Sequence, residues 1–207
     1  MDRIKRIKIN TLVCIDDEKE IQNTCNKIDK ISKQIQNAIP KAENLDYNTL
    51  NILSLNIVDV INFWTGLFQL GYRKDKNFEE SYQNFFQYLY QYLTIYKPQY
   101  LYQGKVYRYL GYKSEPETKK YIIPEYNNIY VSWSKEKQES GYFKEKLKEP
   151  ITRLEYEIIG DEYGIDLEKM DLSKGNETVE KKHVHELSEY IHTDSWKFCK
   201  IRFRWNN

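Results

Sequence analysis

The chain has 207 residues, enough for one sizeable core or two small lobes, and its 40% hydrophobic and 15% aromatic content excludes a disordered polypeptide. Its 32 lysines and arginines nearly cancel 31 aspartates and glutamates, so a net charge of +1 excludes a global field that would draw it onto nucleic acid or an anionic membrane. The three cysteines, Cys14, Cys25 and Cys199, are odd in number and lack Cys-x-x-Cys spacing, which excludes a disulfide framework and a zinc ribbon.

A reducing cytoplasm fits that cysteine usage. The basic start, Met1 to Asn10, is followed by no uninterrupted apolar run with a small-residue cleavage site, so no secretory signal is expected. Mean hydropathy is −0.80, and 19 tyrosines supply much of the apolar filling.

Residues 3 to 15 mix basic and apolar positions and fit either a strand or an irregular lead. From Asp16 or Asp17, either of which can cap a helix, Ile21, Cys25, Ile28, Ile31, Ile35 and Ile39 recur at three and four residues until Pro40. A second helix is predicted over about Tyr47 to Leu70, where apolar residues nearly surround the axis. Asn51, Ser54, Asn56, Asp59, Asn62, Thr65 and Gln69 leave one polar stripe along it, so it reads as a core helix and no membrane partner is expected. Gly71 fits a C-terminal cap, and Phe78 to Tyr96 is a third helix with Tyr82, Phe85, Phe86, Leu89, Leu93 and Tyr96 inward, closed by Pro98.

Past Pro98 the period changes to two. Lys105 to Tyr112 reads as a strand on which Val106, Arg108 and Leu110 alternate with Tyr107 and Tyr109. Lys113 to Lys120 is a polar loop, Tyr121 to Ile123 a short strand or its edge, and a turn at Asn127-Asn128 leads into Ile129 to Ser134. Lys135 to Lys148 fits a surface helix, Ile151 to Ile159 a strand, and Asp161 to Ser173 a turn with a short apolar anchor. His183 to Ile191 and Trp196 to Trp205 read as two last strands. The expected class is therefore α+β: a helical part over residues 1–100, then a small split antiparallel-type sheet over 101–207, together forming one compact unit.

Four features of the second half carry chemistry: Arg108 in Val-Tyr-Arg-Tyr-Leu-Gly, Ser132 and Ser134 in Tyr-Val-Ser-Trp-Ser, and a late acid, Glu189 or Glu186, in His-Glu-Leu-Ser-Glu-Tyr. In this order, after a helical lead, they resemble the ADP-ribosyltransferase fold of the Arg/Ser-x-Ser/Glu type. The resemblance implies NAD as the substrate cofactor, bound in a cleft between the helical part and the sheet. It also implies ADP-ribose transfer to a macromolecule, protein or nucleic acid, or NAD hydrolysis, in a bacterial or phage effector setting. In these terms Arg108 is the phosphate or ribose anchor, Ser132 the positioning hydroxyl, Ser134 its support, Glu189 the catalytic carboxylate with Glu186 as the other candidate, and Trp133 or Tyr109 a pocket wall. The family often has a glutamate or glutamine two residues before the catalytic one; here Leu187 stands there, which argues against arginine as the acceptor.

The chemistry has its own reasons for these residue types. Breaking the bond between nicotinamide and ribose builds an oxocarbenium-like centre, which a carboxylate stabilises, while a guanidinium can give a pyrophosphate two parallel hydrogen bonds. The competing interpretations are plain ones. An arginine between tyrosines can stack along a strand surface, Ser-Trp-Ser can be ordinary sheet packing, and the whole can be a non-catalytic protein-binding module or inhibitor using an aromatic surface. His183 and His185 with Glu186 or His192 could suggest a metal site, but solvated histidines explain them better, and no metal is expected. Tyr88, Tyr90 and Tyr92 fit helix packing better than base stacking, so there is no strong nucleic-acid signature. No phosphate-cradling glycine loop or nucleophile elbow is present.

Overall fold

A computed structural model of the chain describes residues 4–9, 17–69, 76–110, 131–133, 135, 152–160, 163–167, 169–170, 190–192 and 202–205. The fold is α+β, with three helices and two small antiparallel sheets. It divides into two compact units: one runs to Pro98 and takes in Met170, and the other runs from Gln99 to Lys169 and takes in the last two strands.

Helix α1 (Glu18–Ala38) begins where the Asp17 carboxylate accepts hydrogen bonds from the Lys19 and Glu20 N–H groups at 2.9 and 3.3 Å, satisfying two donors that the helix cannot pair itself. Its threefold and fourfold spacing buries Ile21, Cys25, Ile28, Ile31 and Ile35 on one side. Pro40 ends the α-helix and opens a 3-10 turn, Ile39–Asn44. Helix α2 (Tyr47–Gln69) is capped by Asp46, which accepts from both the N–H and the hydroxyl of Thr49 at 2.8 Å. Those hydrogen bonds, the backbone one first, hold the Asp46 carboxyl below its ordinary pKa. Helix α3 (Lys76–Tyr96) buries Phe78, Tyr82, Phe85, Phe86, Leu89 and Leu93, as its spacing predicts.

The helix directions follow from pairs near their ends. Cys25 Sγ donates to the Asn77 carbonyl at the start of α3, and the Tyr96 hydroxyl at its end donates to the Ile39 carbonyl just past α1, so α1 and α3 run parallel. Helix α2 returns between these directions, meeting Gln34 late in α1 through Asn56 and Phe78 early in α3 through Phe63. The core between α2 and α3 is aromatic: Phe63 and Phe78 meet edge to face at 5.6 Å, and Trp64 and Phe86 at 5.3 Å.

The polar stripe of α2 differs from the expectation of a simple solvated face: Asn56 and Asp59 on it are buried. Residues 4–9 lie over them as an extended lead. Asn56 Nδ2 donates to the Lys5 carbonyl at 2.8 Å and Asn56 Oδ1 accepts from the Ile7 N–H at 2.9 Å, so one side-chain amide pairs with backbone as a neighbouring strand would. Gln34 adds a hydrogen bond to the same Lys5 carbonyl at 3.0 Å, and Arg6 reaches both Asn56 Oδ1 at 3.1 Å and Asp59 at 2.8 Å. Replacing the amide by an isosteric apolar group orphans the Lys5 and Ile7 backbone groups. Asn56→Leu is therefore expected to cost about 2 kcal/mol and to speed amide exchange at Ile7; unchanged exchange there contradicts the pairing.

Asp59 titrates against this background. Burial pushes its carboxyl above the ordinary value of 3.8, outweighing the hydrogen bond and charge of Arg6. An acid with a raised folded pKa holds its proton better when folded, so its contribution is present below the unfolded pKa and lost as pH rises through the folded one. The difference in unfolding free energy between wild type and Asp59→Asn, measured by urea titration, should accordingly fall between pH 4 and pH 8. A rise over that span would mean that attraction to Arg6 exceeds desolvation.

The second unit is built of strands. One sheet has the order β1 (Leu101–Tyr102), β5 (Gly164–Asp166), β6 (Tyr190–His192), β3 (Val131–Trp133), and the other β2 (Gly104–Leu110), β4 (Thr152–Ile158), β7 (Arg202–Trp205). All pairings are antiparallel. Strands β2, β3 and β4 match the predicted ones in shorter form. β1 and β5 were expected as part of no strand and as a turn; at two and three residues they are too short to show a period. Gly104 joins the two sheets, taking the chain from β1 into β2 at φ +131°, where a Cβ would lie 2.7 Å from the Tyr102 hydroxyl oxygen. Among the described residues, no helix is long and apolar enough to cross a membrane. The predicted loop, strand edge and surface helix between residues 113 and 148 otherwise lie outside the described residues, except for β3 and Lys135.

Candidate functional site

Strand register places several of the sequence candidates. Antiparallel pairing of β3 with β6 sets Ser132 opposite Ile191 and Trp133 opposite Tyr190, so the Ser-Trp strand lies beside the strand that begins immediately after Glu189 in the chain. On the other side of β6, Ile165 of β5 pairs with Ile191 and Asp166 with Tyr190. Two rows therefore cross the sheet: Leu101, Ile165, Ile191 and Ser132, then Asp166, Tyr190 and Trp133. Trp133 is only 6% exposed and packs within the unit.

Arg108 and Tyr109 lie in the other sheet, at the register positions of Leu154 and Arg153 on β4. Strand β2 nevertheless runs close to β3, so the two sheets adjoin there. The neighbour two residues before Arg108, Val106, is fully buried. The Arg108, Tyr109 and Ser132 side chains, and Ser134, Glu186 and Glu189 entirely, lie outside the described residues. So do His183 and His185; among the described residues no cluster of His, Cys, Asp or Glu could hold a metal ion.

A charged group that sequence reasoning did not single out stands at the end of the Asp166 row. Asp166 is wholly buried, 0% exposed, yet two ammonium groups meet its Oδ2: Lys135 at 3.2 Å and Lys169 at 3.5 Å. The Lys169 N–H also donates to Asp166 Oδ1 at 3.3 Å. Neither ammonium is aligned to hydrogen-bond Oδ2, so the contacts are charge contacts. Lys135 further sits 5.5 Å above the Tyr102 ring, within cation–π range. Burying a lone carboxylate would cost several kcal/mol, so a cation beside it is required. The signal in the sequence was faint: Asp166 and Lys169 are three residues apart in a short apolar stretch, and Lys135 is far away in the chain.

The chain matches no family model, no curated protein and no solved structure.

Proposed function

We propose that the chain is an NAD-dependent enzyme of the ADP-ribosyltransferase type, which moves ADP-ribose from NAD to a macromolecular acceptor, with protein favoured over nucleic acid. One observation supports the reading most: β3 pairs with β6, so the Ser132 strand neighbours the strand that Glu189 leads into, while the Arg108 strand β2 runs close to β3. Residues widely separated in the chain thus come from adjoining strands of one unit.

The residues divide the chemistry as follows. Arg108 and Ser132 hold the pyrophosphate and ribose side of NAD, Ser134 supports that strand, and Tyr109 and Trp133 flank the nicotinamide half. The carboxylate, Glu189 in preference to Glu186, faces the ribose. The C1′–N bond breaks, nicotinamide leaves with the electron pair, and the carboxylate stabilises the positive charge on the sugar until the acceptor attacks C1′ and gives up its proton. With water as acceptor the products are nicotinamide and ADP-ribose.

The test is incubation with NAD carrying separate labels on nicotinamide and adenine, alone and with a cell extract as acceptor source. Release of nicotinamide with adenine label passing to macromolecules, and loss of both in Arg108→Ala, is the expected result. No nicotinamide release by folded protein at millimolar NAD contradicts the enzyme, and leaves the protein-binding module.

A further inference from the structure

We infer that Lys135 and Lys169, gathered around buried Asp166, form a subsite for a pyrophosphate group. It rests on the reading above only in taking the pyrophosphate to be that of NAD.

The charge count carries the inference. One buried carboxylate needs one cation, and Lys135 supplies it at 3.2 Å while its ammonium rests over Tyr102. Lys169 brings a second ammonium to the same oxygen, at 3.5 Å, although like charges held together repel. The group therefore carries a surplus of one positive charge among buried residues, where Asp166, Ile165 and Leu167 exclude water and leave the field weakly screened. Both ammoniums retain access to solvent: the Lys135 side chain is 25% exposed and that of Lys169 50%. Because each makes a charge contact with Oδ2 rather than an aligned hydrogen bond, its donors are directed elsewhere. A multiply charged anion that takes both ammoniums relieves their repulsion, and Asp166 holds them in place to receive it.

The location fits a nucleotide's two phosphates. Asp166 shares a cross-strand row with Tyr190 and Trp133, in the same sheet as Ser132 and next to the residue that follows Glu189.

The subsite is tested by calorimetric titration of the full chain with inorganic pyrophosphate, ADP-ribose and nicotinamide riboside, which lacks a pyrophosphate. Pyrophosphate and ADP-ribose should bind, Lys169→Gln and Lys135→Gln should each weaken both about tenfold or more, Lys169→Arg should retain binding, and nicotinamide riboside should be indifferent to all three variants. Lys169 is half exposed, so its variants fold even if Lys135→Gln does not. Pyrophosphate binding unchanged in Lys169→Gln overturns the subsite. Lysine-dependent binding without nicotinamide release upholds the subsite and overturns the enzyme, whereas nicotinamide release with an unchanged KM for NAD in Lys169→Gln does the reverse.

Discussion

Glu189→Gln is expected to slow nicotinamide release from NAD by about 100-fold or more while leaving the affinity for NAD within about threefold. The substitution keeps size and hydrogen-bonding capacity and removes only the negative charge. That charge acts on the sugar when the C1′–N bond is breaking and hardly at all on bound NAD, so the loss falls on kcat and not on KM. Arg108→Ala should show the opposite split, since a guanidinium on phosphate acts in the ground state and the transition state alike. Single-turnover release of labelled nicotinamide, with a binding isotherm for each variant, separates the two. If Glu189→Gln turns over like wild type and Glu186→Gln does not, the acid is Glu186.

The second large effect concerns stability. Phe86 is fully buried and meets three rings: Trp64 edge to face at 5.3 Å, Phe85 edge to face at 5.0 Å and Tyr82 stacked at 6.0 Å. Truncation removes a large apolar side chain, leaves a cavity where α2 and α3 meet, and abolishes ring pairs with their own directional energy. Phe86→Ala should therefore cost about 3–5 kcal/mol, and Phe86→Leu less, about 1–2 kcal/mol, because most of the volume is kept. Denaturation in urea, followed by the fluorescence of Trp64 against a Trp64→Phe control, reads both. A loss under about 1 kcal/mol for the alanine variant would mean that the site collapses around the deletion.

The helical half was legible because each helix is long enough to repeat its period several times and carries its own stops. Asp17, Asp46 and Pro40 mark ends that the structure reproduces to within one or two residues. The polar stripe of α2 was misread at Asn56 and Asp59 because the pattern of one helix cannot say what lies across it. Residues 4–9, irregular in the sequence, find their partners only when α1 and α2 have packed. Strands β2 and β4 alternate over seven residues and were visible; β1 and β5 are too short to alternate, and β5 is buried along its whole length. The pairing of β3 with β6 joins segments far apart in the chain, so the order of motifs could suggest it but no local pattern could state it. The Lys135–Asp166–Lys169 cluster was invisible for the same reason.

The most direct measurement is a crystal structure of the chain with a non-hydrolysable NAD analogue. The account predicts the Arg108 guanidinium within hydrogen-bonding reach of a phosphate oxygen, the Glu189 carboxylate facing C1′ of the nicotinamide ribose, and Ser132 between them on β3. An analogue bound away from all three, or Arg108 and Glu189 on separate outer surfaces, would contradict it.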